Sequence, residues 1–221
     1  MGARPRIALI HATVVAVEPV RNALAAAWPE AEAVNLLDDS LSVDRAKSDT
    51  LTPALSERIV ELAHYARKLG SDGILFTCSA FGRAIEEAAS LLDVPVLKPN
   101  EAMFGAAIRQ GRNNAMIVTF APARPGMEDE FAEEASRIDP AARLTSFTVE
   151  RAMTALEAGD EASHNCVVAA KAAELGDFDA ILLAHFSTAR AAEAVRKRVS
   201  VPVLTSPDAA VAKLRRLLGT G

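Results

Sequence analysis

The sequence predicts an α/β protein built from two similar halves, each a parallel sheet with helices on both faces. Three observations lead there. Short β-type runs alternate with helix-length segments from end to end, the pattern of strands joined by helical crossovers. Most of the β-type runs are continuously apolar, as strands covered on both faces require. The chain also repeats itself at an offset of 107 residues.

The repeat holds its register without a gap. Asp72, Ile74 and Leu75 fall on Asp179, Ile181 and Leu182. Arg83, Ala84 and Glu86 fall on Arg190, Ala191 and Glu193, and Val94-Pro95-Val96-Leu97 falls on Val201-Pro202-Val203-Leu204. A weaker match, at an offset of 108, sets Ile7–Ile10 on Ala115–Val118. The period is far too long for a solenoid. No Pro/Gly/Ser-rich linker separates the halves. They are expected at 1–98 plus 206–221 and at 99–205, with the chain crossing near Pro99 and returning near Ser206. A cleft is expected between them.

Taken in order, the expected strands are Arg6–Ala12, Ala31–Leu36, Gly73–Thr77, Val94–Leu97, Ala115–Thr119, Leu144–Val149, Ala180–Ala184 and Val201–Leu204. Helical runs lie between them. Pro53–Leu69 carries Leu55, Ile59, Leu62 and Leu69 roughly one turn apart, and Gly70 stops it. Asp160–Leu175 and Pro207–Leu218 follow the same pattern. The connection Asp38–Thr52 is long and polar, with Asp38, Asp39, Asp44 and Asp49. It reads equally as a lid or as a surface excursion.

The composition narrows the function. Half of the 221 residues are hydrophobic and 24% are charged, so the chain has material for a folded core. The formal charge of −5 and 5% aromatic content supply neither the basic surface nor the stacking platforms of a nucleic-acid binder. Arg4 and Arg6 before the apolar run Ile7–Val17 loosely mimic a secretion signal, but His11 and Thr13 interrupt it and a buried first strand fits better. No run reaches membrane-spanning length. The two cysteines, Cys78 and Cys166, are too few for a disulfide framework and lack metal-ligand spacing. The expected setting is the cytoplasm.

The chemistry concentrates at two equivalent places. At the repeat offset Cys78 falls on His185, and each follows an apolar strand and precedes a helical run. Carboxyl ends of parallel strands are where α/β proteins place ligands. A helix N-terminus there favours an anion, so Cys78 is expected to have a depressed pKa and to react ahead of Cys166. Two proton-transfer groups on opposite sides of a carbon are what inversion needs: one removes the proton, the other returns it to the opposite face. Thr77, Ser79, Ser187 and Thr188 flank the pair, as helix caps or as contacts to a substrate carboxylate. Phe186 adjoins His185. His11 and Thr13 after the first strand, and Thr119 after its repeat partner, are weaker substrate-binding candidates on the same strand-end argument. Asn100 and Glu101 follow Val-Pro-Val-Leu and also read as caps. His64 and His164 read as solvated helix residues, and Cys166 as structural.

No Walker A loop, G-x-G-x-x-G, G-x-S-x-G or zinc-binding histidine pair is present. No cofactor and no metal are expected.

These residues resemble the aspartate/glutamate/hydantoin racemase superfamily, which also holds maleate isomerase and arylmalonate decarboxylase. The resemblance rests on Phe76-Thr77-Cys78-Ser79-Ala80 after a strand, on both Val-Pro-Val-Leu segments and on Ile181–Ser187. It spans essentially the whole chain. It implies two Rossmann-like halves with the active site between them, and cofactor-independent proton transfer next to a carboxylate, often by two cysteines. The second cysteine position matches His185 here. Imidazole serves as acid or base near neutral pH, so a Cys/His pair remains workable.

The expected activity is a racemase or epimerase of a small carboxylate such as an amino acid. Cys78 as thiolate takes the Cα proton and His185 as imidazolium returns it. The alternatives are a single-cysteine decarboxylase or cis–trans isomerase, or a non-catalytic small-ligand binder. Lys98 and Arg124 are weak candidates for a substrate side-chain carboxylate. Expected partners are the small carboxylate and, at most, further copies of the chain in a homo-oligomer, with no nucleic acid and no membrane.

Overall fold

The computed structural model describes residues 4–48 and 50–219, so Asp49 of the long polar connection lies outside the described residues. The chain divides into two compact units. One runs to Pro99 and resumes at Ala210; the other is Asn100–Ala209.

In the first unit, β1 (Arg6–His11), β2 (Glu32–Leu37), β3 (Gly73–Phe76) and β4 (Val96–Leu97) form one parallel sheet in the order β2-β1-β3-β4. Its helices are α1 (Val17–Ala27), α2 (Ser40–Arg45), α3 (Pro53–Lys68) and α4 (Gly82–Leu91). Side chains alternate across the strands, so the central β1 and β3 bury residues on both faces. Ala8, Ile10, Ile74 and Phe76 pack with Leu55, Ile59 and Ala63 of α3 and Ala84, Ile85 and Ala88 of α4. Ile7, Leu9 and Leu75 are also fully buried, from the opposite face.

The second unit repeats the plan. Here β5 (Asn113–Val118), β6 (Arg143–Thr148), β7 (Ala180–Leu183) and β8 (Val203–Thr205) form a parallel sheet in the order β6-β5-β7-β8. Helices α5 (Glu101–Gln110) and α6 (Arg124–Ile138) pack on Met116, Val118 and Leu182. Helices α7 (Glu150–Glu157), α8 (Glu161–Glu174) and α9 (Ala192–Arg196) cover Ala115, Ile117, Ile181 and Leu183 on the other face. The last helix, α10 (Ser206–Leu217), carries the chain from this unit into the first.

The repeated residues do equivalent work. Asp72 accepts a hydrogen bond from the Arg6 N–H at 2.7 Å, and Asp179 accepts one from the Asn113 N–H at 2.8 Å. Each carboxylate pins the start of the central strand. The Val-Pro strands begin two residues later than their β-type runs, for one reason in both copies. Proline has no N–H to donate, so it sits outside the ladder and only accepts. Ile74 N–H donates to Pro95 O at 2.8 Å, and Ile181 N–H to Pro202 O at 2.9 Å.

Helix α3 starts on a Thr52 side-chain cap and Pro53, and ends at Gly70 with φ 75°, as its sequence requires. The polar connection that follows β2 is not a free excursion. It folds into α2, whose Leu41 is fully buried in the core. Arg58 of α3 ties it down further, reaching Asp38 at 2.6 Å and Asp44 at 2.8 Å. Among the described residues, no helix is long and apolar enough to cross a membrane.

Candidate active site

Each unit brings its central strand and the next strand to a common carboxyl end. In the first, the Thr77 N–H donates to Ile10 O at 3.0 Å, continuing the β1–β3 ladder one step past β3. Cys78 follows in extended conformation, φ −117° and ψ 124°, and a single 3-10 turn, Ser79–Phe81, separates it from α4. The second unit has the same order: β7, Ala184, His185 at φ −95° and ψ 144°, the 3-10 turn Phe186–Ala191, then α9. Cys78 and His185 thus hold the same place in the two copies, and both are part-buried.

Burial decides their charge states. It pushes the Cys78 thiol above its ordinary value of 9.0, against the Ala80 N–H beside the sulfur and the nearby Arg45 cation, which both favour thiolate. The expected depressed thiol is therefore corrected. The 3-10 turn holds Cys78 back from the α4 N-terminus, and desolvation outweighs what remains. Burial pulls His185 from 6.5 down to about 4. At rest Cys78 is a neutral thiol and His185 a neutral imidazole. His185 Nε2 accepts a long hydrogen bond, 3.4 Å, from the Phe120 N–H, which leaves the ring proton on Nδ1.

The other sequence candidates divide. Thr77 is buried and its hydroxyl lies 2.9 Å from His11 Nδ1. His11 is fully buried, and its Nε2 lies 3.0 Å from Asn35 Oδ1, so both ring nitrogens are engaged inside the sheet rather than offered to a substrate. Thr13 caps the turn Val14–Ala16 through the Val15 N–H. Thr119 and Thr188 are buried and paired at 3.3 Å. Asn100 is fully buried; its Oδ1 accepts from Ser206 Oγ at 2.6 Å and its amide nitrogen finds no partner, so the cap role is not realised. Ser79 is part-buried beside Cys78, whereas Phe186 and Ser187 are buried after His185. Ser79 and Thr13 are the part-buried hydroxyls among these candidates.

Two readings change. His164, expected on a solvated face, is fully buried because α8 packs on the turn Phe186–Ala191 and on α9. Its Nδ1 lies 2.8 Å from Asn165 Oδ1. Cys166, read as structural, is instead exposed on α8, whereas His64 is exposed on α3 as read. Lys98 and Arg124 are held elsewhere, by Glu86 at 2.5 Å and Glu128 at 2.8 Å.

The cation beside Cys78 is one the sequence did not single out. Arg45, at the end of α2, donates from Nε to Ala80 O at 3.3 Å and from Nη1 to Ser48 O at 2.5 Å. Nothing in the local pattern marks it. A six-residue helix has no periodicity to read, and Arg45 reaches Ala80 only through the fold.

A family model described as Asp/Glu/Hydantoin racemase matches residues 7–145 and 127–221. Glutamate racemase isoform RacE1 from Bacillus anthracis superposes with a TM-score of 0.77 at 14% identity, over 97% of this chain and 82% of that one. Allantoin racemase from Klebsiella pneumoniae gives 0.67 at 19%, over 97% and 88%. A cysteine-for-glycine variant of arylmalonate decarboxylase gives 0.63 at 18%, over 98% and 94%. A search of curated proteins finds no match.

Proposed function

The chain belongs to the Asp/Glu/hydantoin racemase family, and from that premise we propose that it racemises or epimerises a small carboxylate by moving the Cα proton between Cys78 and His185. The observation that carries this reading is the equivalence of the two residues. Each follows the third-ordered strand of its sheet, each precedes a 3-10 turn, and burial holds one as an acid and the other as a base.

The protonation states set the direction of the first half-reaction. Neutral His185 removes the Cα proton from one face through Nε2, giving up the long contact to Phe120. The Cys78 thiol delivers its proton to the opposite face. The pair is left as imidazolium and thiolate, the form that runs the reverse reaction. The total proton count of the two side chains is unchanged by turnover. A carboxylate substrate finds its counter-charge in Arg45, and the N–H groups of the turns after Cys78 and His185 are suited to a developing enediolate. No cofactor enters this scheme.

A second reading has its own support. A protonated, part-buried Cys78 is also what a one-sided proton donor needs, and the fold matches arylmalonate decarboxylase as well as the racemases. That reading makes His185 dispensable to turnover.

One experiment separates the readings: a panel of chiral amino and hydroxy acids, and of malonates, incubated in D₂O and followed by NMR. Racemisation gives deuterium at Cα with inversion. Decarboxylation gives CO₂ and a single enantiomer. A ligand that raises the melting temperature with neither signal makes the chain a binder and overturns the enzyme reading.

A further inference from the structure

We propose that His11 is a positioning residue for Cys78, acting through the hydroxyl of Thr77. The proposal builds on the reading of Cys78 as the reactive thiol. Three neighbouring strands supply the parts: Asn35 from β2, His11 from the end of β1, and Thr77 from just past β3. Asn35 Oδ1 only accepts, so His11 Nε2 carries the ring proton across the 3.0 Å contact. Burial favours the neutral ring. The remaining nitrogen, Nδ1, then holds a lone pair and must accept. The Thr77 hydroxyl, 2.9 Å away, is its donor.

This settles where Thr77 points. Its hydroxyl has a second acceptor, Ile10 O, at the longer distance of 3.3 Å. The Thr77 main-chain N–H already occupies that carbonyl at 3.0 Å. With the side chain tied to His11 and the backbone tied to Ile10, Thr77 is bound to β1 at two points. The next residue is Cys78, whose sulfur faces the Ala80 N–H. That alignment depends on the peptide leaving Thr77 in a fixed direction. His11 therefore touches no substrate, yet sets the geometry of the thiol. His11 and Thr77 are both buried, so an unpaired ring nitrogen or hydroxyl there would be costly, whereas Asn35 closes the chain at its exposed end.

The test uses variants of the full-length protein. His11→Leu and Thr77→Val each remove the contact, and Thr77→Val changes neither size nor the β-branched shape. His11→Asn places an amide oxygen near the former Nδ1 and keeps an acceptor for Thr77. Alkylation of Cys78 and of exposed Cys166 is followed against pH by mass spectrometry. In His11→Leu and Thr77→Val the Cys78 profile moves to higher pH while the Cys166 profile stays. The double variant moves no further, because one interaction has been removed twice. His11→Asn returns the Cys78 profile toward wild type. In an active enzyme, kcat falls by about 10- to 100-fold with KM unchanged, as small misplacements of a reacting group do. ¹⁵N NMR of wild-type His11 shows the proton on Nε2. A proton on Nδ1, an unmoved or lowered Cys78 profile, or additive effects in the double variant overturns the proposal. Should His11→Leu fail to fold, Thr77→Val and the NMR measurement still decide it. Absence of any racemisation in wild type overturns the proposed function but leaves the alkylation result to stand on its own.

Discussion

Arg45 Nε donates to the carbonyl oxygen of Ala80 at 3.3 Å, which places a guanidinium against the turn that follows Cys78. The contact joins α2 to the carboxyl end of the first sheet. It also supplies positive charge that favours Cys78 thiolate. Arg45→Gln should therefore move Cys78 alkylation to higher pH and raise KM for a carboxylate substrate. A hydrogen bond to a charged group is worth about 1.5–3 kcal/mol, so the rise is roughly 10- to 100-fold. Steady-state kinetics against the neutral amide of the same substrate, which should be unaffected, checks the assignment.

Arg45 is held in place from behind. Arg58 bridges Asp38 and Asp44 across α2, and both carboxylates are held below their usual range: at Asp38, desolvation is overcome by hydrogen bonds from Ser40 and Arg58, and at Asp44, hydrogen bonds from Lys47 and Arg58 outweigh it. The ion pairs are partly exposed, so Arg58→Ala should cost only about 1 kcal/mol of global stability. Its larger effect should be local. Amides of residues 40–45 should exchange faster with deuterium while those of α3 keep their protection. Equal loss of protection in both helices would show that Arg58 supports the core rather than α2.

Charge states predict a bounded stability range. His185 titrates at about 4 in the folded chain and near 6.5 when unfolded, so the unfolded state binds the extra proton first. Stability is full above about pH 6.5 and falls as pH drops toward about 4. His11 and His164, also lowered by burial, add in the same direction. Cys78 works at the other end: its folded pKa is raised, so stability falls as pH climbs past the ordinary thiol value of 9.0. Melting temperatures from pH 4 to 10 should trace this plateau, with His185→Asn losing part of the acid limb. At neutral pH exposed Cys166 should alkylate before Cys78, the reverse of what strand-end placement alone suggests.

In the proposed mechanism, inversion requires both Cys78 and His185. His185→Asn should reduce racemisation by about 10²–10⁴-fold, the contribution of a positioned acid or base. Deuterium exchange at Cα should persist for the enantiomer whose proton faces Cys78 and vanish for the other. Cys78→Ala should give the mirror pattern. Near wild-type racemisation of both enantiomers by the His185→Asn variant would refute the paired mechanism.

A last prediction concerns the repeat. Gly111 is extended, with φ 179°, so any residue could adopt its backbone. A Cβ there would nevertheless lie 2.3 Å from the Asp179 side chain, the one that pins the start of β5. Gly111→Ala should destabilise the protein by about 1–3 kcal/mol through overpacking, read as a lower urea midpoint at constant slope. Gly126→Ala, which meets nothing within 4 Å, is the control.

The sequence by itself determined the architecture. The repeated Asp72/Asp179 and Val-Pro-Val-Leu elements are legible because their work is local to the strands: a carboxylate on the neighbouring strand's first N–H, and a proline that only accepts. Cys78 and His185 were legible as candidates for the same reason, since strand ends in a parallel sheet sit at one edge. Tertiary structure alone decided the rest. Arg45 reaches Ala80 across 35 residues of chain. His11, read as a substrate-binding candidate, is buried because β2 and β3 flank it on both sides. The thiol of Cys78 is raised rather than depressed because desolvation depends on everything packed around it. Hydrophobic period and strand-end position are properties of short segments; charge state and counter-ion are sums over the folded surroundings, and no local pattern contains them.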